Sequence, residues 1–127
     1  MTKWELRSYR KIVRRIRQLK AEREELINIV KGIDGMPHGS GKSDPTADAG
    51  MRLADIAGEI EDEIAKLTEE RSRITAVLST LPEDERDLLH YHYILGHTWE
   101  QSAVRYDISY RWAMKLHAMA LGRIRNL

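Results

Sequence analysis

Two long segments of the chain repeat apolar residues at steps of three and four, which is the spacing of one face of an α-helix. The first segment covers about residues 4–31 and the second about residues 46–80. No stretch of five or more residues alternates apolar and polar side chains as a half-buried strand would. Charged residues make up 32% of the sequence and there are only 3 prolines, a composition typical of long, solvated helices. We therefore expect an all-α fold.

The charges of the two long segments are opposite in sign. Residues 1–31 hold ten Lys/Arg and four Glu, a net charge of +6, and residues 32–79 hold five Lys/Arg and ten Asp/Glu, a net charge of −5. Residues 32–50 are rich in Gly, Ser, Asp and Pro, which predicts a loop over 32–45. We expect residues 1–80 to form a long antiparallel helical hairpin. Two helices alone rarely make a stable core, so the hairpin should also contact the C-terminal residues or a second copy of the chain, with a dimer favoured.

Residues 81–127 carry the start and stop signals of three shorter helices. Leu81-Pro82 and the acidic residues after it are typical of a helix start, with Pro82 in the first helical position, and Gly96 is typical of a helix end. Thr98 and Gln101 have the spacing of a capping box. The short helix that they open should run from Trp99 to about residue 106.

The last two helices have the spacing of a helix-turn-helix, in which the second helix enters the major groove of DNA. Ala103 supplies the small side chain that a close helix crossing needs. Asp107 stands where the turn needs a left-handed backbone, and Ile108 follows as an apolar plug. Ser109 caps the final helix, which should run to about residue 125. Its predicted inward positions are Ala113, Leu116, Ala120 and Ile124.

The charges of this segment are also sorted. Residues 80–104 contain one Arg and five acidic residues, whereas residues 105–127 contain five Lys/Arg and a single acid, Asp107. Arg and Lys can bind guanine edges or phosphates, and Met and Tyr can contact thymine methyl groups or sugars. The residues predicted to contact double-stranded DNA are Thr98, Arg105, Tyr110, Arg111, Met114 and Lys115.

The C-terminal sequence resembles region 4 of bacterial sigma factors. The positions that carry this resemblance are Leu81-Pro82, Gly96, Ala103, Ile108-Ser109 and Ala120-Leu121. The stretch Ser43-Asp44-Pro45-Thr46 and the pair Leu116-His117 are in addition similar to small phage regulators of the RinA and ArpU type.

The resemblance implies a sequence-specific transcriptional regulator of phage or prophage genes, with RNA polymerase or a sigma factor as a possible further partner. This chain departs from the sigma pattern at two positions. Asp107 replaces the usual Gly of the turn, and Ser102 replaces an Ile or Val, which should cost a core contact. Both departures leave room for a unit that keeps the fold and binds DNA weakly.

Three alternatives stay open at this stage. The chain could be the DNA-recognition (small) subunit of a phage packaging terminase, or a protein-binding module that docks on polymerase or a sigma factor. The C-terminal segment could also be a plain three-helix bundle with a solvated basic tail. The basic run of residues 7–17 could contact phosphates, pair with the acidic second helix or simply be solvated.

Other chemistry has little support in the sequence. The end of a phosphate-binding loop, Gly41-Lys42-Ser43, lacks the earlier Gly and the preceding strand that the motif needs. His90 and His92 are two positions apart and cannot share a helix face as a metal pair, and His117 is expected to pack or to contact a phosphate. No nucleophile has a plausible base. We therefore expect no enzyme activity, cofactor or metal. No apolar run is long enough to span a bilayer, which favours a cytoplasmic protein of the bacterial host.

Overall fold

The computed structural model describes residues 1–33 and 45–127, and these ranges form five α-helices and no strand. The all-α prediction is confirmed. The helices are α1 (Lys3–Ile33), α2 (Pro45–Leu78), α3 (Glu83–Leu89), α4 (Trp99–Arg105) and α5 (Tyr110–Ile124). Most of the predicted loop 32–45, including Gly41-Lys42-Ser43, lies outside the described residues. None of the helices in the described ranges is both long and apolar enough to cross a membrane.

The chain divides into two compact units, one of Val13–Lys66 and the other of Met1–Ile12 with Leu67–Leu127. This division differs from the predicted domain boundary after residue 80, because the first turns of α1 pack with the C-terminal helices. Arg10 donates a hydrogen bond to the carbonyl oxygen of Ile94 at 3.2 Å. The amino group of Met1 donates to the carbonyl oxygen of Ile124 at 2.7 Å.

The unit Val13–Lys66 has an apolar core shared by α1 and α2. Leu19 of α1 is buried with Ile56 and Ile60 of α2, and Leu26 packs against them at half exposure. These side chains belong to the apolar stripes that the sequence predicts.

Ion pairs flank this core and define the direction of the two helices. The guanidinium of Arg52 lies 2.8 Å from a carboxylate oxygen of Glu22 and 3.0 Å from one of Glu59, and Arg15 lies 3.8 Å from Glu59. Rising numbers in α1 are therefore paired with falling numbers in α2, as in two antiparallel helices. The Arg52 guanidinium holds the pKa of Glu22 below its usual value.

The C-terminal helices meet around a second apolar core. Leu88 of α3, Ala103 of α4, and Ala113 and Leu116 of α5 are buried together. Ile108, the predicted plug, packs against this cluster with Trp99. The four inward positions predicted for α5 are all buried.

Helix α3 begins one residue later than the sequence predicts. Pro82 is the N-cap of the helix, with φ −54° and ψ 151°, and not its first helical residue. The acidic residues 83–85 occupy the first turn as predicted. The helix does not continue regularly to Gly96, since residues His90–Ile94 form a π-helical turn. Gly96 ends the segment with a φ of +80°, in the left-handed region that glycine adopts without strain.

Candidate nucleic-acid interface

The capping box predicted at the start of α4 is present. The Thr98 hydroxyl oxygen accepts a hydrogen bond from the backbone N–H of Gln101 at 3.1 Å, and the Gln101 side-chain oxygen accepts one from the backbone N–H of Thr98 at 2.9 Å. The two bonds satisfy two of the donors that a helix start leaves free. They place the exposed side chain of Thr98 at the first turn of α4.

The turn between α4 and α5 has the backbone that the sequence predicts. Asp107 has a φ of +53°, the single positive φ among the described non-glycine residues. The backbone N–H of Ile108 then donates to the carbonyl oxygen of Ala103 at 3.0 Å. Ser109 caps α5, because its hydroxyl oxygen accepts from the backbone N–H of Trp112 at 3.0 Å. The turn is thereby fixed at both ends by hydrogen bonds.

The Ser102 side chain is fully buried. Its hydroxyl donates to the carbonyl oxygen of Thr98 at 2.8 Å, one turn back in α4. A hydroxyl that bonds within its own helix avoids the penalty of a buried unpaired polar group. The serine at this position is therefore accommodated within its own helix.

The exposed face of α5 carries two cations. Arg111 and Lys115 are exposed and four positions apart, so their side chains lie on the same face, one turn apart. They lie on the side away from the buried Ala113, Leu116 and Ala120. The ammonium of Lys115 is 5.7 Å from the ring centre of Trp112, an exposed aromatic residue that was not among the predicted contacts.

The remaining predicted residues fall into two places. Tyr110 and Met114 belong to the first two turns of α5, where Tyr110 is 51% exposed and Met114 is half-buried. Arg105 is the last residue of α4 and lines a separate shallow depression with Tyr91, His97 and Val104. Four of the six predicted residues therefore lie on α5, and Thr98 and Arg105 lie at the two ends of α4.

Stacked rings join α4 to its neighbours. Trp99 stacks on His92 at 3.7 Å between ring centres and lies 4.4 Å from His117. The Tyr93 hydroxyl is 2.5 Å from Nε2 of His117. Burial lowers the pKa of His117 to about 4 and raises that of Tyr93 to about 12. A neutral His117 ring can thus accept the hydrogen bond that the Tyr93 hydroxyl donates.

Of the two roles predicted for His117, packing and phosphate contact, the structure shows packing. His92 is held in a similar way, since its Nδ1 lies 2.7 Å from the carbonyl oxygen of His97, and burial lowers its pKa. In residues 1–33 and 45–127, no three His, Asp or Glu side chains are close enough to hold a metal ion.

The first residues of the chain also lie beside α5. Met1, Thr2 and Lys3 line a shallow depression whose opposite side is formed by Ala118, Leu121 and Gly122 of α5 and by Arg125, the C-cap of that helix. This neighbourhood joins the two ends of the sequence, and no local spacing of residues predicts it. The sequence signal at this place is the pair Lys3-Trp4, followed one helical turn later by Arg7.

No family model matches the chain, and no curated protein or solved structure is significantly similar to it.

Proposed function

We propose that the chain is a sequence-specific DNA-binding transcriptional regulator of phage or prophage genes, and that α5 is its recognition helix in a helix-turn-helix. The observation that carries this proposal is the exposed pair Arg111 and Lys115 on α5. The pair lies opposite a face buried against α3 and α4. The major groove of B-DNA is wide enough to admit an α-helix presented in this way.

Each predicted contact has a role in this complex. Arg111 is placed to bind guanine N7 and O6, and Lys115 binds a phosphate or a guanine edge. Tyr110 and Met114 contact thymine methyl groups or sugars. Thr98 and Arg105, at the two ends of α4, bind backbone phosphates, which fix the orientation of the protein on the duplex and carry no sequence information.

The biological setting comes from the resemblance to sigma region 4 and to phage regulators of the RinA and ArpU type. In this setting the protein acts in the cytoplasm of the bacterial host as a dimer. The two α5 helices of a symmetric dimer would bind half-sites about one helical turn apart. Light scattering tests the assembly, because a ring of many copies would favour the packaging subunit instead.

The DNA proposal is tested by fluorescence anisotropy on labelled duplex at increasing salt. Each neutralised phosphate contributes about 0.9 to the slope of log K against log salt concentration. Wild-type protein should therefore show a slope of several units. Arg111→Gln/Lys115→Gln should bind more weakly and with a smaller slope. The matched control is Lys20→Gln/Lys31→Gln, which removes two exposed charges from α1 outside the basic run of residues 7–17. Folded wild-type protein that shows no salt-dependent binding would contradict the proposal.

Selection of bound fragments from phage and host DNA then tests sequence specificity. A regulator should enrich a short motif, and Arg111→Gln should relax selection at one or two positions of that motif. Each lost bidentate contact to guanine costs about 1–3 kcal/mol of discrimination. Enrichment without a common motif would argue against sequence-specific regulation.

One observation favours a second candidate, a module that docks on RNA polymerase or a sigma factor. Val104 of α4 is 81% exposed and shares its depression with Tyr91, so a partner protein that covered it would bury apolar surface. Val104→Gln should weaken capture of purified polymerase or sigma factor if this candidate is right, and should leave binding to random duplex unchanged, because it adds no charge beside Arg105.

A further inference from the structure

The first two turns of α1 carry two cations on an exposed tryptophan. Trp4 is 69% exposed. The Lys3 ammonium is 5.6 Å from the centre of its ring, and the Arg7 guanidinium carbon is 5.2 Å from it. Neither cation has an acidic partner within the part of the chain that the structure describes. We call these three residues the α1 patch.

The α1 patch belongs to the same compact unit as α5. Lys3 lines a depression with Ala118 and Gly122, which are exposed in the last two turns of α5, and with Arg125, the C-cap of that helix. Ala118 and Gly122 follow Arg111 and Lys115 by seven positions, so they lie two turns further along the same face of α5. Lys3 therefore lies beside the continuation of the face that carries Arg111 and Lys115.

The chemistry of the patch suits a nucleic-acid backbone. Two cations without acidic partners can bind two neighbouring phosphates, and an exposed indole can pack on a sugar. The cation–π contacts hold the cations beside the ring, so less side-chain freedom is lost on binding. The three residues of the patch include no carboxylate, and Glu5, which stands between them in the sequence, is paired with Arg73 at 2.7 Å.

We infer that Lys3, Trp4 and Arg7 form a second DNA-contacting surface, which binds the phosphate backbone flanking the base pairs that α5 reads. The inference rests on the proposed function, because it takes the duplex to be the ligand of α5. The contact is independent of sequence. It therefore adds affinity uniformly across sites and lengthens the stretch of duplex that the protein covers.

The first test compares Lys3→Gln/Arg7→Gln with the control Lys20→Gln/Lys31→Gln. Glutamine keeps much of each side-chain stem, and far-ultraviolet circular dichroism checks that both variants are folded. Loss of two phosphate contacts should lower the salt slope by about two units in the patch variant and by clearly less in the control. Lys3→Arg/Arg7→Lys should restore the slope, since it keeps both charges.

The second test varies the length of the duplex. Wild-type protein should bind a duplex trimmed to the α5 site more weakly than one with half a helical turn added on each side. The patch variant should bind both equally. Because Trp4 is exposed, the long duplex should protect more of the wild-type tryptophan fluorescence from iodide than the trimmed duplex does. This additional protection should be absent in Trp4→Phe, in which Trp112 of α5 is protected alike by both duplexes.

The outcomes separate the two proposals. If Arg111→Gln/Lys115→Gln weakens DNA binding while the patch variant behaves like its control, the inference is overturned and the proposed function stands. A control variant that loses as much slope as the patch variant also overturns it, because the effect is then one of total charge. If wild-type protein does not bind duplex at all, both proposals fail together. An acidic protein that binds the patch while DNA does not would identify a different class of ligand.

Discussion

Nε of Arg123 in α5 lies 3.1 and 3.0 Å from the two carboxylate oxygens of Glu85 in α3. The Glu85 side chain is 2% exposed, whereas that of Arg123 is 53% exposed. A buried carboxylate is stable only when it is paired and hydrogen-bonded. The pair therefore joins the helix that leads into the candidate interface to the last turns of α5.

Replacing Arg123 should destabilise the protein much more than replacing an arginine of an exposed pair. Arg123→Met leaves the Glu85 carboxylate buried without a partner, at a cost of about 2 kcal/mol. Arg86→Met removes a cation that pairs with Asp87 at the surface, and should cost less than about 1 kcal/mol. Urea unfolding measures both. Equal losses would show that the Glu85 carboxylate is solvated in the native state.

Removing both partners of the buried pair should be milder than removing one. Glu85→Leu/Arg123→Leu leaves no unpaired charge, and such replacements are often neutral or stabilising. The free energy of unfolding of the double variant should therefore exceed that of Arg123→Leu. If the two losses simply add, the side chains do not interact energetically.

Replacing Gly96 with alanine should lower the stability of the protein, whereas replacing Gly122 with alanine should raise it. Gly96 has a φ of +80°, and a Cβ there would lie 2.7 Å from one guanidinium nitrogen of Arg10. Gly96→Ala should therefore destabilise by about 1–2 kcal/mol. Gly122 lies in α5 and a Cβ there meets nothing within 4 Å, so Gly122→Ala should stabilise by up to about 1 kcal/mol. Thermal unfolding of both variants checks this, and a loss of stability in Gly122→Ala would contradict it.

The local features of the C-terminal segment could be predicted from the sequence, because short-range rules decide them. The capping box of Thr98, the left-handed Asp107 and the cap of Ser109 each depend on neighbours within a few residues. The burial of Ala113 and Leu116 follows from helical periodicity in the same way.

The long-range features could not be predicted in this way. The neighbourhood of Lys3 and Arg125 depends on how distant helices pack, and so does the pairing of Glu85 with Arg123. Acidic residues 83–85 look equivalent in the sequence, and only the tertiary fold buries the third of them. The π-helical turn His90–Ile94 likewise has no proline or glycine within it to indicate it.

Replacing Asp107 with glycine should stabilise the protein, and replacing it with a β-branched residue should destabilise it. Its φ of +53° lies in the left-handed region, where Asp is strained less than most residues and more than Gly. Asp107→Gly should raise the free energy of unfolding by up to about 1 kcal/mol, less the entropy that Gly adds to the unfolded chain. Asp107→Val should lower it by about 1–2 kcal/mol. A Val variant as stable as wild type would show that the turn relaxes to a different backbone.

His117 should make the protein less stable below neutral pH. Its pKa is lowered from 6.5 to about 4 in the folded state, mainly by burial, so the unfolded chain takes up a proton first as the pH falls. Folding stability is therefore unaffected by this group above about pH 6.5. It declines as the pH falls from 6.5 towards 4, and levels off below that. The slope cannot exceed about 1.4 kcal/mol per pH unit, because at most one proton is taken up.

The pH dependence is isolated by comparison with His117→Gln, whose side-chain oxygen can still accept a hydrogen bond from the Tyr93 hydroxyl. Carboxylates titrate in both proteins, so the informative quantity is the difference in their free energies of unfolding at each pH. That difference should change in favour of the variant between pH 6.5 and 4, and stay constant above pH 7. A difference that is flat across the whole range would mean that His117 titrates alike in the folded and unfolded chain. The hydrogen bond at Tyr93 would then not require a neutral ring.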